Sequence, residues 1–425
     1  MARVEAGRPG ADRAGSLRRN ADFLKLWAGQ TASLFGSQIT TLALPLLAAL
    51  TLGATPAQMS LLTAAGTAPD LLLGLVAGVW VDRLRRRPLL IAADLGRAAL
   101  LLVIPLAALA GVLSIALLVA VAFGLGLLTT LFGIAYSSYL PALVPRDKLV
   151  EANGRLEASS AVAGVAGPGL AGGLVQALTA PVAMAVDALS FLVSALLLGR
   201  IRTVEAPPRA EARRGLWREV GEGLRAVAGS PVLRALAGTT MTFNFFDSFL
   251  IAIYVLYLTR ELGLGAAAVG AVFAIGGAGG VLGAALAGRI ARWAGLGRAL
   301  IGAILLAAIG ELGIALAGGP PLAAVALVGV AEATVQGAAV VFGVNGVSLR
   351  QAATPDRLLG RVNATMRFMR TGLVPLGALL GGLVAERYGL RPSVLVAGLG
   401  TLLAVLWVLF SPIRALRVAP PPVEE

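Results

Sequence analysis

Five carboxylates stand inside long apolar stretches of this sequence: Asp70, Asp187, Asp247, Glu311 and Glu332. A charged Asp at the centre of a membrane helix costs roughly 2.5–3.5 kcal/mol on insertion scales, and a carboxyl taken out of water is pushed toward its protonated form. Such a group can be neutral in one state of a protein and ionised in another, which is what a proton carrier needs. The expectation is that at least one of the five carries a proton, with Asp70 and Asp247, the deepest in their stretches, as first candidates. The competing reading for each is a protonated, hydrogen-bonded packing residue. Gln38, Asn244 and Gln336 add uncharged polar groups able to line a cavity, and Phe243, Phe245, Phe246 and Phe249 add apolar contacts. A cavity of that mixed kind suits a small amphiphilic organic molecule.

Composition removes other chemistries. The chain has no histidine and no cysteine, which excludes disulfides, thiolate chemistry, His-based metal sites and His-containing triads. No Gly-x4-Gly-Lys-Ser/Thr sequence is present to cradle a nucleotide, and no Gly-x-Gly-Asp sequence favours an intramembrane aspartyl hydrolase. No catalytic residue, metal or cofactor is expected, and the protein is read as a non-enzyme.

The elements that must hold these carboxylates are membrane helices. Of 425 residues, 58% are hydrophobic and 13% charged, against about a quarter charged in an ordinary soluble domain. The apolar runs are continuous and of the length, about 20 residues, that crosses a bilayer as a helix; a β-barrel would alternate polarity in short segments instead. Spans are expected at residues 23–50, 59–81, 88–109, 114–140, 158–178, 181–199, 232–258, 266–288, 299–317, 321–346, 364–385 and 392–411, with breakers such as Gly318-Gly319-Pro320-Pro321 between them. The fold class is therefore an all-α polytopic membrane protein of twelve transmembrane helices.

Arginine placement orients the bundle. The odd-numbered connections contain only Arg260, Arg387 and Arg391, and the remaining basic residues of the total of 35 lie in the tails, the even-numbered connections or the helix ends beside them. By the positive-inside rule both termini are cytoplasmic. The formal charge of +13 is thus a topology signal, and no nucleic-acid partner is expected. Residues 1–20 lack the apolar core of a signal peptide and read as a disordered tail. Residues 201–231 read as a cytoplasmic linker, in which Leu216, Val220, Leu224 and Val227 recur at helical spacing among arginines, the pattern of an amphipathic helix on the membrane surface. It separates an N-terminal half, 21–200, from a C-terminal half, 232–412, with a short tail at 413–425.

The halves repeat. Pro145-x3-Leu149-x3-Asn153 recurs as Pro355-x3-Leu359-x3-Asn363, and Gly172-Gly-Leu-Val175 recurs as Gly381-Gly-Leu-Val384. Two halves of six helices in the same orientation fit a transporter with its substrate site between them at mid-membrane. Glycines in spans 2, 5, 8 and 11, among them Gly66, Gly172, Gly276 and Gly381, place the shared interface along those spans, because small residues let backbones approach.

Trp27-Ala-Gly-Gln30, Leu42-Ala-Leu-Pro-Leu-Leu-Ala48, Gly78-Val-Trp-Val-Asp82-Arg83-Leu-Arg-Arg-Arg87, Tyr139-Leu-Pro-Ala-Leu-Val-Pro145 and Asp187-Ala-Leu-Ser-Phe191 together resemble the major facilitator superfamily over residues 20–412. The look is of its bacterial drug-efflux branch, which includes macrolide efflux proteins and the enterobactin exporter. The resemblance implies the major facilitator fold, a bacterial inner-membrane location, and export of a drug, siderophore or other metabolite by proton antiport with alternating access. Gly78, Asp82, Arg83, Arg86 and Arg87 match the family's loop signature, with Arg85 replacing its second glycine, and would form a cytoplasmic gate. Gly164, Gly167, Pro168, Gly172 and Gly173 resemble the antiporter signature of exporters. Span 4 lacks the embedded Arg of related proton antiporters; Asp94 and Arg97 in span 3 are the nearest charged pair. The implied partners are a small-molecule substrate, protons and the lipid bilayer, with the chain a monomer. The alternatives are a proton-coupled or facilitative importer and a non-transporting receptor or scaffold.

Overall fold

A computed structural model of the chain describes residues 17, 20–73, 84–203, 205, 216–418 and 420. In chain order the helices are α1 (Ala21–Leu46, prolonged by a π turn Leu47–Thr51), α2 (Pro56–Leu73), α3 (Arg86–Leu109), α4 (Ile115–Leu143), α5 (Leu149–Leu178) and α6 (Ala180–Gly199). After α7 (Leu216–Gly229) the C-terminal half follows as α8 (Pro231–Leu256, with a π turn Tyr257–Glu261), α9 (Ala266–Ala294), α10 (Leu296–Leu316), α11 (Pro321–Ala352), α12 (Asp356–Gly372), α13 (Val374–Tyr388) and α14 (Leu390–Leu409). Eleven of the described segments are long and apolar enough to cross a membrane. The twelfth span of the fold begins as α2, whose expected inner end, like Gly78, Asp82 and Arg83, lies outside the described residues.

Local sequence sets the ends of these helices. The Asn20 side chain accepts from the Phe23 amide at 3.0 Å to cap α1, and Ser230 does the same for Leu233 at the start of α8, with Pro231 at the first helical position. Those are preferred residues for orphan helix-start amides. The π turns end on Gly53 (φ +62°) and Gly263 (φ +65°), a backbone region that costs glycine little. Their positions correspond in the repeat.

Several expected boundaries shift. Span 5 starts earlier, at Leu149, because its polar first turns form helix beyond the apolar run. Span 11 is two helices, α12 and α13, interrupted at Leu373 ahead of Pro375; Pro lacks the amide that would continue the ladder and is favoured in a helix's first turn. The linker helix is present as α7, packed on α12 and α8. Glu222 pairs with Arg361 at 2.5 Å, Val227 is buried, and a Cβ at Gly223 would lie 2.2 Å from the Thr365 hydroxyl. Val227 and Gly223 are thus turned toward α12 and α8, while Leu224 of the expected apolar face stays half exposed.

The two halves join along α2 with α13 and along α5 with α9, the four spans whose glycines anticipated it. The small residues at the seam are partly different ones. Cβ atoms at Gly270 and Gly277 would meet the backbone carbonyls of Pro168 and Gly164, whereas Gly276 faces Glu332 on α11 and Gly66 meets Gly126 on α4.

The apolar cores are unequally shared. The largest gathers residues of both halves, including Leu46, Met59, Leu118, Ala183, Tyr257, Val269 and Val394, all toward the charge-poor end of the bundle. At the arginine-rich end one core belongs to the C-terminal half, around Leu233, Leu300 and Val362, and another to the N-terminal half, around Phe23, Tyr139 and Leu198. The shared core joins the two halves at the charge-poor end, whereas at the arginine-rich end the described residues form a separate core in each half.

Candidate functional site: buried carboxyls of the C-terminal half

Three of the five predicted carboxylates come together. Asp247 of α8, Glu311 of α10 and Glu332 of α11 lie close enough to act electrostatically on one another. Glu311 and Glu332 are buried and Asp247 half-buried. Thr401 of α14 donates to Glu311 at 2.7 Å, and the other Glu311 oxygen has no hydrogen-bond partner among the described residues. Gln336 donates to Glu332 at 2.9 Å from one turn along α11, and the buried Tyr254 hydroxyl lies beside the same carboxyl. Gly276 makes room for it: a Cβ there would stand 2.5 Å from the Glu332 side chain. No Lys or Arg is among the charges acting on these three groups. No set of three acids among the described residues is disposed to hold a metal ion.

The N-terminal half treats its buried charge differently. Asp94 and Arg97 of α3 are in contact, and the Arg97 guanidinium lies between the Phe132 and Phe191 rings, 4.3 and 4.2 Å from their centroids. Asp187 of α6 accepts from Thr40 and, at 3.0 Å, from Ser190, and it acts on Arg97 as well. Gly36 on α1 is obligatory here, because a Cβ would collide with Asp187 and Ser190. Asp187 thus belongs to a hydrogen-bonded cluster in which it shares the Arg97 cation with Asp94. Such clusters fix geometry, and removing one member leaves a buried charge unmatched.

Asp70 stands apart from both groups. It is exposed in the described structure and accepts from Thr130 of α4 at 2.5 Å, while its neighbour Leu71 touches Gly372 at the α12–α13 break. Of the polar residues, Gln38 packs on Gly167, and Asn244 donates to the Thr240 carbonyl at 2.8 Å while lining a cavity with Phe243. Phe246 and Phe249 pack inward, against Gly400 and Gly381. Tyr254 and Thr401 escaped the sequence reading; a hydroxyl in an apolar run carries no signal until its neighbour is known.

Of the loop signature, Arg86 and Arg87 are described, and both bind within their own half. Glu205 accepts from the Arg86 amide at 2.9 Å and from its guanidinium at 3.4 Å, and Arg87 donates to the Leu198 and Gly199 carbonyls. In the span-5 signature, Gly172 seats against Ala266 and Gly270 of α9, the Gly164 and Pro168 carbonyls receive Gly277 and Gly270, and Gly173 faces open space.

The helical bundle, its duplicated halves and its seam of spans are those of a transporter, and the sequence profile of the Major Facilitator Superfamily matches residues 26–374. The chain belongs to that superfamily. This superfamily member is similar to the multidrug efflux pump Tap of Mycolicibacterium fortuitum, with 30% identity over 95% of this chain and 99% of that protein. It is also similar to the MFS-type transporter y4rN of Sinorhizobium fredii, with 28% identity over 66% of this chain and 68% of that one. Among solved structures, it resembles the nucleoside transporter NupG (D323A mutant), with a TM-score of 0.76 and 11% identity over 92% of this chain and 99% of that one. A bacterial homologue of the iron transporter ferroportin in its inward-facing state gives 0.72 and 17% over 93% and 99%. At those identities the structural likeness concerns the fold, which is that of the major facilitator transporters.

Proposed function

We propose that this transporter exports a small amphiphilic organic compound across the bacterial inner membrane in exchange for protons, with residues 21–200 and 232–412 as two bodies that alternately part at either end. The observation that carries the proton coupling is the trio Asp247, Glu311 and Glu332, mutually repelling and without a cationic partner among the described residues. Three ionised carboxylates in such a place are expensive, so protons are the simplest means of holding them there. Their release in one conformation and recapture in the other ties proton flow to the rocking of the halves. Export is favoured by the similarity to a pump named for multidrug efflux. In this reading the arginine-rich end is cytoplasmic, both termini are inside, the Gly78–Arg87 loop is the inner gate, the α5 glycines seal the outer one, and a single chain suffices.

The test is transport in proteoliposomes with an imposed pH gradient, using a panel of fluorescent drugs. Asp247→Asn, Glu311→Gln and Glu332→Gln are expected to abolish gradient-driven accumulation, by tenfold or more for at least one of them, while gradient-independent exchange persists. If all three variants accumulate drug like the unmodified protein, the proton role of the trio is wrong. Accumulation in the direction of uptake would overturn export.

A further inference from the structure

A cavity of 670 Å³ lies within the C-terminal half between α8, α11 and α12, toward the arginine-rich end of the molecule. Its walls are mostly apolar, with Phe243 and Phe342 contributing rings, and three guanidiniums bound it: Arg350 of α11 and Arg367 and Arg370 of α12. None of the three has a carboxylate at ion-pair distance among the described residues; the ion pair that α12 makes engages Arg361 instead. Arg350 and Arg370 are close enough to repel each other. The Arg350 Nε and the Asn363 Oδ1, both at this cavity, are buried without a hydrogen-bond partner. Arg350 is half-buried with an unused Nε donor, and Arg367 and Arg370 stand exposed at the mouth beside it; cations so grouped beside an apolar wall call for an anion.

Topology alone does not account for these arginines. At the repeat-equivalent places, 210 residues earlier, the N-terminal half has Leu140, Glu157 and Ser160, although both halves face the same side of the membrane in the proposed orientation. Depth is informative too. From Tyr388 at the charge-poor end back to Arg370 is 18 residues, which across the break at Leu373 span at most about 27 Å at 1.5 Å per residue. That is close to the hydrocarbon thickness of a bilayer, so the guanidiniums stand at headgroup level with the apolar wall toward the bilayer interior.

We infer that this cavity binds an amphipathic anion, its phosphate or carboxylate head held by Arg350, Arg367 and Arg370 and its apolar tail laid along Phe243 and Phe342. Guanidiniums suit such heads because they present paired donors in a plane. The inference narrows the substrate class of the proposed exporter and rests on that reading for the onward movement of the compound, though not for its binding.

The experiment uses the full chain in nanodiscs of zwitterionic lipid and measures equilibrium binding of dodecyl phosphate, dodecyltrimethylammonium and inorganic phosphate. Dodecyl phosphate is expected to bind at least tenfold more tightly than either of the others, and Arg367→Gln with Arg370→Gln is expected to remove that preference. Arg350→Lys, which keeps the charge but not the planar fork, should give an intermediate loss, and a fold check by thermal melting accompanies each variant. Equal binding of the cationic and anionic amphiphiles, or full binding by the melted-normal double variant, overturns the proposal. Binding of inorganic phosphate as tight as dodecyl phosphate overturns the amphiphile part. Nanodiscs containing phosphatidylglycerol separate the sources: competition assigns the head to a bilayer lipid, and its absence assigns it to a compound from the aqueous side. Binding without gradient-driven transport in proteoliposomes would sink the exporter reading while leaving the anion site standing.

Discussion

Thr179, between α5 and α6, has φ +115° and ψ 156°, a region of backbone space that is nearly the preserve of glycine. The corresponding residue of the second half is Gly389, at φ +93° and ψ 167°. The duplicated turn therefore holds one copy in comfort and one under strain of roughly 1–3 kcal/mol. Thr179→Gly is expected to raise the melting temperature of the purified protein, offset in part by the greater freedom glycine brings to the unfolded chain. A fall in melting temperature would mean that the Thr side chain makes a compensating contact. At Arg97 the direction is opposite. Arg97→Gln leaves Asp94 and Asp187 without their shared cation, and loss of one partner of a buried pair costs about 3–5 kcal/mol. A marked loss of folded yield and melting temperature is expected, whereas the Asp247, Glu311 and Glu332 amides should melt normally, since no cation depends on them.

At the scale of helices, the decisive contacts are between backbones. A Cβ at Gly172 would stand 2.5 Å from the Ala266 carbonyl oxygen, and one at Gly382 would stand 2.1 Å from the Ser60 hydroxyl and 2.6 Å from the Pro56 carbonyl oxygen. Gly172→Val or Gly382→Val must push the halves apart at the charge-poor end. The absence of native cysteine gives a clean readout: Leu46→Cys, fully buried at that end, should be protected from a membrane-impermeant maleimide in the parent background and labelled at least fivefold faster in either valine variant. Unchanged labelling would show that the helices absorb the side chain elsewhere. Which helices exist was legible from apolar runs, because length and continuity are local properties. Which glycine meets which helix was not: spacing identifies a small-residue face of α9, but Gly276 and Gly277 are one residue apart and look at different neighbours. The π turns and the break in span 11 were hidden for a related reason, since apolar composition persists across Leu47–Thr51 and through Leu373. The carboxylates themselves were legible as costly residues; that three share a neighbourhood and Asp187 belongs to an arginine-matched cluster depends on tertiary packing.

For the whole molecule, the duplicated architecture carries its closure in duplicate. Gln176 accepts from the Ala267 amide at 3.0 Å, capping the start of α9 from the opposite half, and Glu386 accepts from the Ala57 amide at 3.1 Å, capping the start of α2. Donors and acceptors are each 210 residues apart (57 and 267, 176 and 386). Helix-start caps contribute about 1 kcal/mol each, which for a two-state closure is a population change of several-fold. Glu386→Gln copies the partner position and should leave the labelling of Leu46→Cys within about twofold, while Glu386→Ala should accelerate it about fivefold. If glutamine and alanine behave alike, the cap does not hold the halves.

The seal at the charge-poor end thus adds main-chain contacts to the shared apolar core: carbonyls meeting glycines, and amides meeting the Gln176 and Glu386 side chains. The arginine-edged cavity owes its character to side chains at positions where the other half has leucine, glutamate and serine. A chain divided in this way can change its cargo by substitution at one end without disturbing the barrier at the other. Selection for a new compound then acts on a handful of replaceable residues, and leakage through the closed end is not among the costs of trying them.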